Sequence, residues 1–518
     1  MPASRNSSAR PNSDRVLPLV LALATLAGAG AVLYFYSRGW LLYYGDAQAH
    51  LNIARRVMDS RTPGWNQIGT VWLPLPHLLM LPLVRNDWLW RTGLAGSIPS
   101  SACFIAATLF LFAAARRAFS NAAAGFAAAG LFALNPNLLY LQSTAMTEPV
   151  FFAALAALVY FAGRFAGRPG YAAAAGAGLA ALAGTLTRYE GWFLLPFAAV
   201  YFLLTGAQRR VPAALLFSAL ATAGPLFWLA HNWWYYGDCL EFYRGPYSAR
   251  VIQGAAGYPG FHNWREAWLY FRTAAVLCMG GPLFWMAVAG AAAALWKRAF
   301  RPLFLLCLPP VFYLWSIHSS GTPIYVPPLW PHSYYNTRYG LALLPAAAFA
   351  AGALVAVAPK RWRPAAACAA LALGAGPWLV APHPGGWVTW KESEVNSQAR
   401  RAWTAEAAGY LAPRYLRGSG ILTTFGDMAG VFSTAGIPLR ETLTGDNMPQ
   451  WEAAVMRPDL FLWEEWAVAV QGDRVEAAIE RAARSGPGFQ RVKTITVKGA
   501  PAIQIYRRVK SRNASSLY

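Results

Sequence analysis

Long apolar stretches constrain this chain more than any other feature of its sequence. About eleven of them reach the length of roughly 20 residues that a helix needs to cross a bilayer. Of the 518 residues, 56% are hydrophobic and 13% are charged, against about 25% charged in soluble domains. We therefore predict a polytopic α-helical membrane protein. The predicted spans lie near residues 16–36, 93–115, 121–140, 147–163, 171–187, 190–205, 211–230, 274–296, 302–318, 338–358 and 364–381.

The first apolar stretch is predicted to remain in the mature protein as a signal anchor. Basic residues precede it at Arg5, Arg10 and Arg15, which is also typical of a cleaved signal peptide. No small-residue cleavage site follows, because the stretch ends in the aromatic sequence YFY at residues 34–36. This ending favours a retained helix.

The distribution of charge predicts which loops face the cytoplasm. Residues 1–386 contain 27 Lys/Arg and nine Asp/Glu, whereas residues 387–518 contain 17 and 13. The positive excess sits in short clusters between apolar stretches, which is the positive-inside pattern and not a nucleic-acid groove. Segment 70–84 is apolar but short and contains three prolines, so we expect it to be re-entrant or interfacial. The basic clusters and the N-terminus then all fall on one side, predicted to be cytoplasmic.

The same sidedness places the acidic residues of the membrane part on the outer face. Except for Asp14, every carboxylate before residue 387 falls outside, and all seven histidines fall on or near the outer side. One interpretation is that the inner loops are simply short and basic. The other is that the outer loops, which are also rich in Trp and Tyr, form a functional site.

After residue 386 the composition becomes that of a soluble domain. Helical patterns run near residues 394–411 and 473–484, and strand patterns lie at 420–425 and 459–463. The sequences RVKTITVKG and PAIQIYRR predict a final β-hairpin.

These patterns divide the chain into two predicted domains. Residues 1–386 form the transmembrane part, and residues 387–518 form a small α/β domain. An odd number of spans places the α/β domain on the extracytoplasmic side.

Asp46 is the first carboxylate after the first predicted span, in the sequence YYGDAQAHLNIARR. The residues that follow have the spacing of an amphipathic helix, with Leu51 and Val57 on one face and Asn52 and Arg56 on the other. We expect this helix to lie on the outer leaflet. Asp46 is then either a simple helix cap or a general base at the boundary between water and lipid.

Three further motifs place ionisable residues beside predicted spans. Glu148 opens the fourth span just before a proline, and the alternative to a site role is a helix-start carboxylate. Arg188 and Glu190 lie in TRYEGW, where a local ion pair is the alternative. Arg338 precedes Tyr339 in NTRYG and is the only cation that the sequence places near that helix start. An arginine at membrane depth is costly and suits a phosphate, although it can also snorkel to lipid headgroups.

Several functional classes gain no support from the sequence. No Walker loop, no GxGxxG after a strand and no HExxH is present, so nucleotide-driven transport and zinc proteolysis are not indicated. The five cysteines are odd in number and lack a CxxC pair, which disfavours a disulfide framework or a cysteine zinc site. Asp, Glu and His together suit a divalent metal, but no spacing requires one.

The order of these motifs resembles the GT-C superfamily of polyprenyl-phosphate-sugar glycosyltransferases, over about residues 16–381. The resemblance is to the branch of protein mannosyltransferases and aminoarabinose transferases. It implies that Asp46 is the catalytic base, that Glu148 is a second acidic site residue, and that Arg338 binds the donor phosphate. Some relatives carry two adjacent acids in the first outer loop. In this chain Asp46 stands alone there, after Gly45. The plausible site neighbours are His50, Trp72, His77, Arg188, Glu190 and Tyr339.

The function implied is inverting transfer of a sugar from a polyprenyl-phosphate donor to a hydroxyl of a protein, lipid or glycan. Membrane lipids are the other expected partners, and the expected location is the inner membrane of the cell. A flippase or polymerase of lipid-linked glycans and a non-catalytic membrane scaffold are the alternatives. A flippase also needs outer-face cations and aromatic residues, but it does not need Asp46.

Overall fold

A computed structural model gives the architecture of the chain. It describes residues 16–205, 209–254, 257–380, 383–424, 426, 428–485 and 488–509. The basic residues Arg5, Arg10 and Arg15, used above to interpret the first span, lie outside the described residues.

Helices dominate the described residues. The first twelve α-helices are α1 Val16–Ser37, α2 Gly45–Arg56, α3 Leu75–Met80, α4 Asp87–Thr92, α5 Leu94–Phe119, α6 Ala122–Ala133, α7 Pro136–Gln142, α8 Glu148–Gly167, α9 Tyr171–Thr185, α10 Tyr189–Thr205, α11 Arg210–Tyr236 and α12 Glu241–Arg244. The later ones are α13 Ala249–Gln253, α14 Trp264–Met279, α15 Gly281–Trp296, α16 Phe300–Ser319, α17 Leu344–Val357, α18 Arg363–Val380, α19 Val388–Leu411, α20 Ala429–Ala435, α21 Gln450–Met456, α22 Pro458–Phe461 and α23 Arg474–Ser485.

The predicted polytopic helical architecture is confirmed. Within the described residues, six helices are long and apolar enough to cross a membrane, or eight spans if two bent pairs each count as one. The six are α1, α5, α8, α11, α16 and the helical segment Thr337–Val357. The apolar helices α9 and α10 are shorter.

Two of the predicted spans are broken by sharp bends. The stretch predicted at 121–140 consists of α6 and α7 at 66°, and the stretch at 274–296 contains α14 and α15 at 111°. Asn135 precedes Pro136 at the first bend, and Gly280 has a φ of 84° at the second. A residue before proline leaves the helical region, and positive φ is accessible mainly to glycine, so both breaks have a local cause. Segment 70–84 forms only the six-residue helix α3.

The chain divides into two compact units. Unit 1 contains Thr70–Pro76, Ser97–Glu392 and the chain up to Arg38, whereas unit 2 contains Gly39–Gly69, His77–Gly96 and the chain from Ser393. The first predicted outer loop therefore belongs to the same unit as the C-terminal domain.

Small residues let the helices of unit 1 approach closely. A Cβ at Gly290 on α15 would collide with the backbone of Ala350 on α17. A Cβ at Gly340 would likewise collide with the backbone of Ala274 on α14. Close backbone approach at small residues is the usual way in which helices associate in lipid.

Unit 2 is built on a five-stranded mixed sheet. Its strands are β1 Ile421–Thr423, β2 Thr442–Leu443, β3 Trp466–Val470, β4 Phe489–Ile495 and β5 Ile503–Arg508, in the order β2-β1-β3-β5-β4. The β1 strand pairs in parallel with β2 and β3, and β5 pairs antiparallel with β3 and β4. The predicted hairpin is β4–β5, and the two predicted helices correspond to α19 and α23. The strand predicted at 459–463 is wrong, because a proline at the first turn starts the short helix α22 there.

The helix after Asp46 does not expose its polar face, contrary to the prediction of a helix lying on the leaflet. Arg55 and Arg56 of α2 are 8% and 5% exposed. Arg55 pairs with Asp59 at 2.7 Å and with Asp87 at 2.7 Å, and Arg56 pairs with Asp446. The two arginines of α2 are thus paired inside unit 2, and this part of the amphipathic pattern reflects ion pairing within the protein and not contact with water.

Candidate active site

Glu148 begins α8 and lies at the centre of a buried ionic cluster in unit 1. Pro149 follows in the first turn, where its fixed φ suits a helix start. The Glu148 side chain is only 4% exposed. Its Oε1 atom lies 3.2 Å from Nη1 of Arg188 and accepts a 3.3 Å hydrogen bond from Nε of Arg338. A single carboxylate oxygen is therefore shared by two guanidinium groups.

Arg188 occupies the turn between α9 and α10. Its guanidinium donates to Glu190 Oε1 at 2.7 Å, to Thr147 Oγ1 at 2.6 Å and to Tyr313 Oη at 2.6 Å. Thr147 is the N-cap residue of α8, yet its hydroxyl accepts from Arg188 and makes no cap bond with the helix. Arg188 consequently links the starts of α8 and α10 to α16.

Segment 70–76, which lies earlier in the sequence, is hydrogen-bonded to this turn. The Leu75 amide donates to the Leu186 carbonyl at 2.9 Å, and the Tyr189 hydroxyl donates to the Val71 carbonyl at 2.8 Å. Trp72, a predicted site neighbour, adjoins the second of these bonds and is half-buried. The proline-rich segment is thus a brace for the turn that carries Arg188.

Arg338 lies in a 3₁₀ helix, Thr337–Leu343, that precedes α17. Besides Glu148, its guanidinium donates to Glu392 Oε1 at 3.3 Å, and its backbone amide donates to Glu392 Oε2 at 3.2 Å. Arg338 and Glu392 are 7% and 2% exposed. The expectation of a lone cation at this helix start is wrong, since Arg188 and Arg338 contact the same carboxylate.

Two tyrosines complete the cluster. The rings of Tyr313 and Tyr339 stack at 4.5 Å, and Tyr313 donates its hydroxyl to Glu190. The guanidinium groups of Arg188 and Arg338 lie 5.4 Å and 5.1 Å from the Tyr339 ring. Tyr339 therefore makes cation–π contacts with both arginines.

One acceptor of this cluster has no donor in the described ranges of the chain. Three carboxylates, those of Glu148, Glu190 and Glu392, contact the two guanidinium groups. The Oε2 atom of Glu148 is buried and has no hydrogen-bond partner among the described residues. A buried acceptor without a donor is costly, and it suits a hydroxyl group brought by a ligand.

Asp46 lies in unit 2, in the first turn of α2, and is half-buried. The N-cap residue is Tyr44, so Asp46 is a first-turn carboxylate and not the cap itself. Arg400 holds the chain just before it, donating to the carbonyls of Leu42 at 3.1 Å and Tyr43 at 2.7 Å. The position of Asp46 is thus fixed by an arginine from α19.

His50 and His77, two predicted site neighbours, contact each other in unit 2. His50 Nδ1 lies 2.9 Å from His77 Nε2, and the two side chains are 3% and 0% exposed. Because one nitrogen must donate and the other accept, this bond cannot form with both rings doubly protonated.

Comparisons with known proteins agree with the motifs. Residues 91–234, which include Glu148 and Arg188, match the profile of the dolichyl-phosphate-mannose-protein mannosyltransferase family. The fold resembles that of ArnT from Cupriavidus metallidurans bound to undecaprenyl phosphate, with a TM-score of 0.56 and 14% identity over 93% of this chain and 98% of ArnT. The chain therefore has an ArnT-like fold, and its residues 91–234 are similar to that mannosyltransferase family.

Other solved structures also resemble the chain in fold. The apo state of the same ArnT gives a TM-score of 0.53 at 13% identity, over 92% of this chain and 97% of ArnT. The apo oligosaccharyltransferase of Archaeoglobus fulgidus gives 0.48 at 12% identity, over 89% of this chain and 70% of that protein. No curated protein matches the sequence.

Glu392 and Tyr313 belong to the cluster but were not predicted from the sequence. Glu392 follows the last apolar stretch by about a dozen residues, much as Asp46 follows the first, and that similarity was a usable signal. Tyr313 lies within an apolar stretch, where a lone tyrosine is ordinary. Glu148, Arg188, Glu190, Arg338 and Tyr339 do lie together in unit 1, although their catalytic roles stay predictions.

Proposed function

We propose that this protein transfers a sugar from a polyprenyl-phosphate donor to a hydroxyl acceptor, with inversion at the transferred carbon. The observation that carries the proposal is the sharing of Glu148 by Arg188 and Arg338 in a GT-C fold. ArnT, whose fold is similar, binds undecaprenyl phosphate, which is a polyprenyl phosphate. The reaction takes place on the extracytoplasmic face of the inner membrane, with the N-terminus in the cytoplasm.

In this proposal Arg338 binds the phosphate of the donor. Its guanidinium is planar and permanently charged, which suits two oxygens of a phosphate. The phosphate competes with the carboxylates of Glu148 and Glu392, because both pair with the Arg338 guanidinium. Glu148 then uses its buried Oε2 to accept a hydrogen bond from a hydroxyl of the sugar.

Asp46 acts as the base. It takes the proton of the acceptor hydroxyl as that oxygen attacks the anomeric carbon of the sugar. The bond between the anomeric carbon and the phosphate oxygen breaks, and the polyprenyl phosphate leaves with the bonding electrons. The leaving group is a stable anion, so no general acid is required. Arginine beside the phosphate stabilises the charge that develops there.

The requirement for a divalent metal is tested separately, since the steps above are written without a metal ion. Within the part of the chain that the structure describes, no group of three or more His, Cys, Asp or Glu side chains has the geometry to hold a metal ion. Turnover is measured in the presence of a chelator. Activity that persists supports a reaction without a metal, and abolition that added Mg²⁺ or Mn²⁺ reverses shows a divalent-metal requirement.

The central experiment is sugar transfer in proteoliposomes. Mass spectrometry first identifies lipid-linked sugars that copurify with the protein, and these serve as donors. Asp46→Asn is expected to abolish release of polyprenyl phosphate while the protein still folds and binds donor. Asp87→Asn is the matched control, since Asp87 is also a first-turn carboxylate of unit 2 and its side chain is 65% exposed.

Two outcomes would overturn the proposal. Unchanged turnover in Asp46→Asn would remove Asp46 as the base. Movement of a lipid-linked glycan across the bilayer, with no cleavage of its phosphate bond by the wild type, would favour a flippase.

A further inference from the structure

A large cavity opens in unit 1 at the far end of α8 from the candidate active site. Its volume is about 1360 Å³. Glu148 begins α8, whereas Gly163 and Gly167 near its other end line the cavity. Because α8 has 20 residues, the two ends are about 30 Å apart. The cavity is therefore separate from the cluster around Glu148.

Helix ends that carry arginines surround this cavity. Arg116 and Arg117 end α5, and Arg298 and Arg301 flank the start of α16. The described residues that line the cavity include no Asp or Glu. Four positive charges thus face the same space, and the described part of its wall contains no carboxylate.

Arg117 is held in a defined position. Its Nε donates to the Gly163 carbonyl at 3.0 Å, and its Nη2 donates to the Arg164 carbonyl at 3.3 Å. These carbonyls belong to the last turn of α8, where a cation is favourable. The guanidinium is consequently anchored at the wall of the cavity and does not need a carboxylate partner.

The start of α6 adds to the positive potential. Asn121 caps this 12-residue helix through Oδ1, which accepts from the amides of Ala123 at 2.9 Å and Ala124 at 3.3 Å. The cap fixes the orientation of the Asn121 amide. Its Nδ2 is a buried donor with no acceptor among the described residues, and Asn121 lines the cavity. Helix N-termini favour anions such as phosphate.

The remainder of the wall is apolar. Val16 and Leu19 of α1, Phe126 of α6 and Val159 of α8 contribute to it. A soluble anion gains nothing from such a surface, whereas a lipid has an acyl chain to place against it. The combination of cations and apolar wall at one end of a membrane bundle suits an amphiphile with an anionic head.

We propose that this cavity binds the phosphate headgroup of an anionic phospholipid, with the acyl chains along the apolar wall. Arg116, Arg117, Arg298 and Arg301 contact the headgroup. The lipid comes from the leaflet at the arginine end of the bundle.

Lipid binding to the full-length protein tests the proposal. The protein is purified in detergent, and its binding of phosphatidylglycerol and phosphatidylcholine is measured by native mass spectrometry. We expect preferential binding of phosphatidylglycerol to the wild type. Arg298→Gln/Arg301→Gln should weaken it roughly thirtyfold, because each of the two basic residues near a lipid headgroup contributes about 1 kcal/mol. Both arginines are exposed, so the double variant is expected to fold.

A matched control separates the cavity from general surface charge. Arg209→Gln/Arg361→Gln removes two exposed arginines next to helix ends of the same unit that do not line the cavity. This variant should keep the wild-type preference for phosphatidylglycerol. An equal loss in both double variants would show that net charge, and not the cavity, attracts the lipid.

A second variant reduces the volume of the cavity and leaves its charges in place. A Cβ at Gly163 meets no atom within 4 Å, so Gly163→Leu is tolerated and narrows the cavity. We expect it to reduce phosphatidylglycerol binding as well. Unaltered binding in both Gly163→Leu and Arg298→Gln/Arg301→Gln would overturn the proposal. Full competition by millimolar inorganic phosphate would also overturn it, in favour of a site for a soluble anion.

Discussion

The two ends of unit 1 use arginine in opposite ways. Near the start of α8, Arg188 and Arg338 are buried among three carboxylates and two tyrosines. At the other end, the cavity is lined by four arginines and, among its described residues, by no carboxylate. The first arrangement fixes geometry at the cost of desolvation, and the second leaves positive charge available to a mobile partner.

This contrast follows from the surroundings of each arginine. A buried guanidinium must be paired, because an uncompensated charge in a low dielectric is very costly. An exposed one keeps its hydration and is free to exchange water for a phosphate. We therefore expect substitutions at the paired end to act mainly on folding and catalysis, and substitutions at the arginine end to act mainly on lipid binding.

The largest effect is expected from Arg338→Met, which retains much of the side-chain volume. It leaves Glu148 and Glu392 buried without their shared cation, and breaking a buried pair in this way costs about 3–5 kcal/mol. Thermal and denaturant unfolding in detergent would measure this loss. The triple variant Arg338→Met/Glu148→Gln/Glu392→Gln should recover much of the stability but no activity. A single variant as stable as the triple one would show that these carboxylates do not depend on Arg338.

An intermediate effect is expected from Tyr313→Phe. The substitution keeps the ring that stacks on Tyr339 but removes the hydroxyl that joins Arg188 to Glu190. Loss of a buried hydrogen bond to charged groups costs about 1–3 kcal/mol. Unfolding measurements should show that loss, with Phe312→Leu on the same helix as the control for a change of α16 packing. A destabilisation below that of the control would mean that the hydroxyl is not part of the cluster.

Part of the fold and part of the candidate site could be predicted from the sequence. Apolar length located the helices, and charge parity placed Glu148, Arg188 and Arg338 at one predicted face, where the structure of unit 1 brings them into contact. The bends were missed, because apolarity alone does not report a break such as Gly280, even though a Gly-Gly-Pro sequence is present there. Glu392 was missed because it lies beyond the last span and pairs with residues far away in the sequence. Its position shortly after the last apolar stretch, similar to that of Asp46 after the first, was the signal that could have identified it.

A smaller effect is expected from Glu392→Gln, which should strengthen binding of the donor. The amide still offers an oxygen to Arg338, while one negative charge is removed from the cluster. Stability should change by less than about 1 kcal/mol. Because one competitor for Arg338 is removed, the KM for the lipid-phosphate donor should fall several-fold with little change in kcat. A higher KM at unchanged stability would show that Glu392 assists donor binding and does not compete with it.

The smallest effect is expected from Arg117→Lys, at the end of unit 1 where the arginines line the cavity. Lysine keeps the positive charge but cannot donate simultaneously to the carbonyls of Gly163 and Arg164 as the guanidinium does. Those bonds are exposed, so stability should fall by no more than about 1 kcal/mol, and phosphatidylglycerol binding should remain close to wild type.

Arg338→Lys is the matched change at the paired end. There the lost fork geometry leaves a buried carboxylate oxygen of Glu148 or Glu392 without its donor, so the cost should be clearly larger than for Arg117→Lys. The comparison is made by unfolding both variants under identical detergent conditions. If the geometry of a guanidinium matters only where its partners are buried, lysine should be tolerated at position 117 but not at position 338. Equal losses of stability in the two variants would therefore mean that pairing and burial do not distinguish the two ends.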